Sequence, residues 1–175
     1  MIRLRTIDDI CPCIALLEQV HAADQYPAYW PKDPQTWLVH RREVRAWVAE
    51  QDGSIVGHIA IHDAQGDQAL SIWQSLTKRA ADQLGVVARL LVGPDTRGQG
   101  LGKQLLSVAV EDIHLRGQLP VLDVAEKNTS AVALYDKSKW RRLANCEVTT
   151  PTDDPLPVIV YAGPEPPSAD SSHFA

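Results

Sequence analysis

The stretch from Val86 to Ile113 constrains the fold most, because it joins a strand, a glycine-rich loop and a helix without interruption. An apolar, β-branched run predicts a buried strand at Val86–Val92. Gly93-Pro94-Asp95 ends that strand, since proline cannot donate to a sheet ladder and glycine tolerates positive φ. Apolar residues then recur at helical spacing and predict a helix with one side in the core: Leu101, Leu105, Val108, Ala109 and Ile113.

The loop between this strand and this helix is rich in glycine, with Gly98, Gly100 and Gly102 between Arg97 and Lys103. Amides at a helix N-terminus have no intrahelical partner, and the helix dipole adds partial positive charge there. We therefore predict an anion site, for a diphosphate, at this loop. The alternative is a glycine-rich connection without a ligand, although a connection alone does not need the conformational entropy that three glycines cost.

Residue spacing separates three nucleotide-binding patterns that this loop could represent. A P-loop ending at Gly102-Lys103 requires glycine at Arg97 and a hydroxyl residue at Gln104. A dinucleotide fingerprint starting at Gly98 requires glycine at Lys103. Both patterns fail, and the one that fits is Arg-x-x-Gly-x-Gly, which starts at Arg97.

This pattern resembles the signature of the GNAT superfamily of acyl-CoA-dependent N-acetyltransferases. The run DVAEKNTSAVALYDKSKW, which starts at Asp123, is also similar to the family, with Asn128 and Leu134-Tyr135 ahead of an aromatic. One departure is Lys139, where the family usually has a glycine that supports a left-handed turn, so the loop after it is expected to differ. The resemblance covers the last two-thirds of the folded chain, and the first third matches only in the order of elements.

The resemblance implies an α+β fold with three layers, α/β/α, around a mixed, mostly antiparallel sheet of about seven strands. Its central parallel pair of strands would be splayed apart. The implied co-substrate is acetyl-CoA, and the residues implied to bind it are Leu91, Val92, Arg97, Gly98, Gln99, Gly100, Leu101, Gly102, Lys103 and Asn128. Asn128 is equally well explained as a helix cap. Tyr135 is implied as the general acid that protonates the leaving thiolate, against the alternative of a packing tyrosine.

The remaining elements follow from hydrophobic periodicity and turn residues. The strand Leu119–Ala125 should lie parallel to Val86–Val92, because a helix crossover joins them. Ala64–Gly85 predicts an amphipathic helix that completes the core, lines the cleft or meets a second subunit. Other predicted elements are a strand at Ile2–Leu4, a helix through Ile14, Leu17 and Val20, a short helix near Pro34–His40, a hairpin of Ala46–Glu50 and Ile55–Ile61, and strands at Arg142–Thr149 and Pro157–Tyr161.

Composition limits the class of protein and its partners. The chain of 175 residues fits one domain, expected at 1–162, with a disordered tail at 163–175. A net charge of −5 without a basic block argues against a nucleic-acid partner. We expect a cytoplasmic protein without a membrane partner, because no run approaches a membrane span and Met1–Arg5 lacks a signal peptide's apolar region. The cysteines are interpreted as small buried residues, and no metal is expected: Cys11, Cys13 and Cys146.

Several functional questions stay open in the sequence. The acceptor is expected to be a primary amine on a small molecule or a peptide, and a homodimer is compatible with the sequence. The aromatic segment Asp24–Trp37 either pins a loop to the core or forms a wall of the acceptor pocket. Candidate bases are Glu50, His58, His21 and Asp24, and none is assigned. The alternatives to an acetyltransferase are a non-catalytic acyl-CoA sensor and a transferase of a longer acyl group.

Overall fold

The computed structural model describes residues 1–167, in which α-helices pack on both faces of a seven-stranded sheet. The strands are β1 (Ile2–Leu4), β2 (Glu43–Gln51), β3 (Ser54–Asp63), β4 (Leu84–Val92), β5 (Leu119–Ala125), β6 (Arg141–Thr149) and β7 (Pro155–Ala162). The α-helices are α1 (Ile10–Asp24), α2 (Pro34–Leu38), α3 (Leu70–Thr77), α4 (Leu101–Leu115) and α5 (Thr129–Lys137). Most of the predicted tail, 168–175, lies outside the described residues.

The sheet has the strand order β1-β2-β3-β4-β5-β7-β6. Every neighbouring pair is antiparallel except β4 and β5, which are parallel and are connected by α4. A parallel pair requires such a crossover, and the glycine loop lies where it begins. The predicted α+β fold with a central parallel pair is confirmed.

The parallel pair is joined only at its start. Pairing between β4 and β5 ends at Val86 and Val121, although β4 continues to Val92 and β5 to Ala125. Beyond this point β4 stays paired to β3, and β5 stays paired to β7. Two strand edges therefore face each other across a gap without bonding, as the splayed pair requires.

A β-bulge lies in β4 where the gap opens. Two residues of β4, Arg89 and Leu90, lie opposite the single residue Ile59 of β3. Arg89 has a φ of 55°, in the left-handed region that non-glycine residues adopt at a cost of about 1–2 kcal/mol. Bulges bend the strand that contains them, which accounts for the departure of β4 from β5 beyond Val86.

His58 of β3 supports this bulge from inside the protein, where its side chain is fully buried. Its Nδ1 lies 2.8 Å from the carbonyl oxygen of Arg89, and its Nε2 lies 3.0 Å from Nη1 of Arg5. A guanidinium only donates hydrogen bonds, so Nε2 accepts and Nδ1 carries the proton. The imidazole is therefore neutral, and burial lowers the pKa of His58 to about 4.

Close packing of α4 against the sheet depends on a glycine in β4. A Cβ added to Gly85 would lie 2.8 Å from Cγ1 of Ile113, so a larger residue would push the helix away. On the opposite face of the sheet, α1 packs Leu17 against Leu91, and α3 packs Trp73 against Val86. These contacts fix both layers of helices relative to the open strand edges.

The helix predicted for Ala64–Gly85 is wrong in its extent. The observed α3 has eight residues, and Lys78 ends it in a left-handed conformation with φ 59°. Leu84 belongs to β4, and Leu76 is 46% exposed, so the four-residue repeat did not mark one buried face. Trp73 is the residue that anchors α3, and it completes the core of the monomer.

Two smaller expectations are also revised. Lys139 itself adopts the left-handed conformation with φ 63°, so the turn after α5 forms without the glycine that the family usually has. The Trp140 amide then donates to the carbonyl of Tyr135 at 3.2 Å. Among the cysteines, all of them free, Cys13 is buried and Cys146 half-buried, whereas Cys11 is exposed at the start of α1.

The chain beyond β7 continues along the protein surface as far as residue 167. The Gly163 amide donates to the carbonyl of Pro120 at 2.7 Å, and Glu165 pairs with Arg79. The domain boundary after residue 162 stays a prediction. Within residues 1–167, no helix combines the length and the apolar character that crossing a membrane requires.

The protonation state of His58 predicts an effect of pH on stability. Because the folded state holds the ring neutral, the unfolded chain binds the extra proton as the pH falls from 6.5 towards 4. His58 therefore lowers the free energy of unfolding by about 2 kcal/mol between pH 7 and pH 5. In urea titrations, His58→Asn should be less stable than wild type at pH 7 and should lose less stability on acidification. Equal losses in both proteins would contradict a neutral, buried His58.

Candidate functional site

A cleft of about 970 Å³ occupies the gap between the diverging ends of β4 and β5. Residues of both strands line it, together with the loop before α4 and the inner side of α5. On the opposite side of the sheet, the wall includes Tyr26, Trp37, Arg42 and His62. One opening therefore connects the glycine loop to the aromatic segment of the N-terminal third.

The backbone conformation of the glycine loop explains its composition. Gly98 and Gly100 both have φ 77°, which residues with a Cβ rarely adopt. A Cβ on Gly98 would meet no heavy atom within 4 Å, and one on Gly100 would meet only Nε2 of Gln104, at 4.0 Å. The glycines are thus required by the path of the backbone, and they leave open space beside it.

The helix that follows supplies free donors at the mouth of the cleft. Because α4 begins at Leu101, the amides of Leu101, Gly102 and Lys103 have no intrahelical acceptor. All three residues line the cleft, where the helix dipole adds partial positive charge. This geometry is suited to binding an anion.

Arg97 is held by an ion pair that the sequence did not indicate. Its Nη1 lies 2.9 Å from Oδ1 of Asp24, and its Nη2 bonds the second carboxylate oxygen. Both side chains are partly exposed, so the pair contributes little to the free energy of unfolding. Its effect is positional, because it ties the end of α1 to the glycine loop.

Alternation along β4 shows which backbone groups face the gap. The Gly93 amide donates to the carbonyl of Val56 on β3 at 2.9 Å. Since successive residues of a strand point their backbone groups in opposite directions, Leu91 is turned to β3 as Gly93 is, and Val92 is turned towards β5. The Val92 amide and carbonyl are therefore the groups of this pair that face the gap.

The first turn of α5 is capped by Asn128. Its Oδ1 accepts from the Ala131 amide at 3.3 Å and from the Ser130 hydroxyl at 3.2 Å. The capping role considered for this residue is therefore present in the structure. Asn128 also lines the cleft, so capping and ligand contact are compatible.

Tyr135 lies on α5, with its ring inside an aromatic group. Its centroid is 5.7 Å from those of Trp140 and Tyr161, and the residue is 6% exposed. No hydrogen bond joins its hydroxyl to another residue within the described range, and the side chain lines the cleft. Burial raises the pKa of Tyr135, so the phenol keeps its proton at neutral pH.

The structure brings most of the predicted site residues to the cleft wall: Val92, Arg97, Gly98, Gly100, Leu101, Gly102, Lys103, Asn128 and Tyr135. Two predicted residues do not line the cleft. The side chain of Leu91 packs against α1, and Gln99 is not part of the cleft wall. The roles of these residues in cofactor binding and catalysis stay predictions.

The four candidate bases all have other partners. Glu50 pairs with Arg3, and Asp24 pairs with Arg97. Nδ1 of His21 lies 3.0 Å from the carbonyl oxygen of Pro27. The ring nitrogens of His58 are both occupied. Asp24 is the one of the four that lines the cleft, and its carboxylate is paired with Arg97.

Asp123, which the sequence analysis did not select, lies directly in the gap. It is half-buried on β5, two positions beyond the last paired residue, Val121. Burial raises the pKa of Asp123 to about 6, a value suited to exchanging protons near neutral pH. A signal was present, since Asp123 is the charged residue of the apolar strand LPVLDVA.

Arg89 is the second residue that the sequence analysis missed, and it faces Asp123 from β4. Its guanidinium carbon lies 3.6 Å from the ring centroid of Trp37, and its Nε donates to the Trp37 carbonyl at 3.2 Å. The edge of the Trp37 ring contacts Tyr26, with centroids 6.0 Å apart. Tyr26 and Trp37 both pack against the core beneath α1 and line the cleft, so both interpretations of the aromatic segment apply to them. Their place in an acceptor pocket stays a prediction.

A metal centre is not indicated by the side chains of the part that the structure describes. No group of three or more His, Cys, Asp or Glu residues in 1–167 could hold an ion. The cleft offers a ligand backbone amides, phenols and charged side chains.

Known acetyltransferases are similar to this chain in sequence. The acetyltransferase (GNAT) family profile matches residues 12–139. A stretch of 94 residues is 36% identical to mycothiol acetyltransferase from Streptomyces coelicolor, covering 52% of this chain and 25% of that protein. The chain therefore matches only a quarter of the length of this relative.

Solved structures share the whole fold. The ribosomal-protein-S18-alanine N-acetyltransferase from Escherichia coli has a TM-score of 0.69 and 18% identity, covering 99% of both chains. The putative acetyltransferase yncA from Salmonella typhimurium, solved with its cofactor acetyl-CoA, has a TM-score of 0.67 and 18% identity, covering 100% of this chain and 98% of that chain. The GNAT family uses acetyl-CoA, which confirms the predicted co-substrate. The match over residues 12–139 shows that the chain belongs to the GNAT acetyltransferase family.

Proposed function

We propose that this protein transfers the acetyl group of acetyl-CoA directly to a primary amine on a small molecule or a peptide. The observation that carries the proposal is the gap between β4 and β5, which has an anion-binding loop at its mouth and a protonated phenol on its wall. Such a gap gives an extended acyl donor two open strand edges and a fixed point for its charged end.

The residues around the gap fit acetyl-CoA. Its diphosphate needs several donors and unobstructed approach, which the first-turn amides of α4 and the space beside Gly98 and Gly100 supply. Lys103 and Lys137 line the cleft as well and add positive charge. The Val92 carbonyl offers a hydrogen bond to an amide group of the pantetheine arm, and the Val92 amide is left for the thioester oxygen.

The proposed reaction uses few protein groups. Acetyl-CoA supplies an acetyl thioester, whose carbonyl carbon reacts with amines. The Val92 amide stabilises negative charge on the carbonyl oxygen. The acceptor nitrogen bonds to the acetyl carbon as the carbon–sulfur bond breaks, and it gives up a proton. Tyr135 donates its phenolic proton to the departing sulfur and recovers a proton from solvent.

An acetyl-CoA sensor without turnover is the competing function, and an assay of coenzyme A thiol release separates the two. We expect release that depends on added amine, with mass spectrometry showing one acetyl group on the acceptor nitrogen. The panel should contain diamines, amino acids and short peptides. Tight acetyl-CoA binding without amine-dependent release by any member would contradict an acetyltransferase.

Gly100→Val tests the cofactor site. Valine at φ 77° strains the backbone, which displaces the amides that the diphosphate requires. We expect the Kd of coenzyme A to rise by about tenfold or more, as measured by titration calorimetry on the folded variant.

Gly117→Val is the matched control for this change. Gly117 follows the other end of α4, has φ 70° and has no heavy atom within 4 Å of an added Cβ, so the same substitution imposes similar strain away from the cleft. Its coenzyme A affinity should equal that of wild type. Equal affinity in all three proteins would place the diphosphate elsewhere.

Tyr135→Phe tests the proton donor. Phenylalanine preserves the contacts of the ring with Trp140 and Tyr161 and removes only the hydroxyl. The kcat should fall by roughly 10²- to 10⁴-fold while the Kd of coenzyme A is retained, because a lost general acid affects the chemical step alone.

Tyr161→Phe is the control for Tyr135. Tyr161 packs against Tyr135, but its hydroxyl donates to Oδ1 of Asp136 at 2.9 Å. Its loss should lower the free energy of unfolding by about 1 kcal/mol and leave kcat unchanged in the folded protein. If Tyr135→Phe retains the kcat of wild type, Tyr135 serves packing, and the proton must reach the sulfur from elsewhere.

A further inference from the structure

The cleft has a side that the transfer of acetyl groups to amines in general does not explain. This acceptor side comprises Tyr26, Trp37, Arg42, His62, Arg89 and Asp123, and it lies across the sheet from α4 and α5. A simple amine would need only one negative group there to attract it. The acceptor side instead contains charges of both signs.

Arg89 is a cation without a carboxylate partner in residues 1–167. No carboxylate oxygen in this range lies within 4.0 Å of its guanidinium, whereas Arg3, Arg5, Arg42, Arg45, Arg79, Arg97, Arg116 and Arg142 each form such a pair. Burial lowers the pKa of Arg89 although Tyr26 and Asp123 act in the opposite direction, so an anion bound at the guanidinium would stabilise this charge. Its stacking on Trp37 fixes the plane of the guanidinium, which favours a planar, two-oxygen ligand.

Asp123 supplies the opposite charge on the facing strand. No hydrogen bond joins its carboxylate to the side chain of another residue in the described range, and the group lines the cleft. The charged side chains that shift the pKa of Asp123 are Asp67, Arg89 and Arg42, and all three line the cleft. The charge of Asp123 in turn raises the pKa of Tyr135, which lies on the other face of the sheet. Asp123 therefore lies between the acceptor side and the phenol of Tyr135.

We infer that the acceptor is an amino acid, whose carboxylate binds the guanidinium of Arg89 and whose amine is held and deprotonated by Asp123. This inference rests on the proposed acetyl transfer. Arg89 lies three positions beyond Val86 on β4, and Asp123 lies two positions beyond Val121 on β5, so an acceptor between them spans the gap at its opening. The two charges of an amino acid match the two charges on the strands.

The proton balance of the step is complete with these groups. Asp123 takes one proton from the bound ammonium and passes it to solvent, which its half-buried position permits. The neutral nitrogen then bonds to the acetyl carbon, and its second proton also leaves to solvent. Tyr135 protonates the sulfur and is reprotonated from solvent, so one amino acid and one thioester give an N-acetylamino acid, a thiol and a net proton.

Arg89→Gln tests the carboxylate site, with L-amino acids and their α-amides as paired acceptors. The amide of an amino acid has more unprotonated amine at neutral pH, so its intrinsic reactivity favours the amide. Wild type should nevertheless show a kcat/KM that is roughly 10- to 100-fold higher for the acids, because a charge-assisted hydrogen bond to Arg89 stabilises their binding by that factor. In Arg89→Gln this ratio should fall to one or below through a higher KM for the acids, with the amides unaffected.

Arg89→Gln keeps the contact that supports the bulge, because His58 bonds the backbone carbonyl of Arg89. It removes the guanidinium contacts with Trp37, so the unchanged kcat/KM for the amides is the control that the cleft wall is intact. Arg89→Lys retains the charge and loses the planar fork, so it should recover part of the preference for acids. A wild-type enzyme that uses amides as well as acids, or an Arg89→Gln variant with an unchanged ratio, would overturn the inference.

Asp123→Asn tests the second half of the inference. Asparagine is close to the same size, carries no charge and cannot take the proton. The kcat should therefore fall, and the KM for acids should rise because the ammonium loses its carboxylate partner. The acidic limb of the kcat profile, expected near pH 6 in wild type from the raised pKa of Asp123, should disappear in the variant. An unchanged kcat and pH profile would exclude Asp123 as the proton acceptor.

Failure of the proposed function gives a different result from failure of this inference. An enzyme that acetylates neutral amines and has no preference for acids retains the proposed function and refutes the amino-acid acceptor. If no acceptor is acetylated, calorimetry of the coenzyme A-bound protein with N-acetyl-L-amino acids and their amides still tests the site. Tighter binding of the acids that is lost in Arg89→Gln supports the carboxylate site, and equal binding refutes it.

Discussion

The loss of pairing between β4 and β5 beyond Val86 and Val121 is the constraint on which the rest of the structure depends. A closed parallel pair would satisfy its own backbone groups and leave no opening in the sheet. Here the bulge at Arg89 bends β4, and the buried, neutral ring of His58 donates to the Arg89 carbonyl. The same residue whose backbone shapes the gap also carries a charged side chain into it. If the carboxylate of the acceptor binds Arg89 as we propose, structure and specificity are linked at one position.

Much of the fold could be predicted because its signals are local. The strand Leu119–Ala125 was predicted with its observed bounds, since Pro120 and the apolar run mark both its start and its burial. Ala64–Gly85 shows where local patterns fail. A four-residue repeat predicted one long helix, but the large side chain of Trp73 needed burial against β4 and β7, and Lys78 ended the helix early. Tertiary packing outweighed periodicity there.

The candidate site also has residues that the sequence predicted and residues that it did not. The glycine loop was recognisable because positive φ and close ligand approach impose glycine at fixed spacing. Asp123 and Arg89 were missed because each looks like a tolerated charge in a strand, and its importance depends on the strand that faces it across the gap. The ion pair of Arg97 with Asp24 was equally hidden, since 73 residues separate its partners. Contacts of this kind are set by topology and not by any local pattern.

Hydrogen–deuterium exchange with and without acetyl-CoA tests the central claim most directly, because it reports on individual backbone amides. Ligand in the gap should protect the amides of Val92 and of the loop Arg97–Lys103, for which residues 1–167 supply no acceptor. The strands β1 and β2, none of whose residues lines the cleft, should exchange at an unchanged rate. Protection confined to other parts of the chain, or absent at saturating acetyl-CoA, would contradict a cofactor site between β4 and β5.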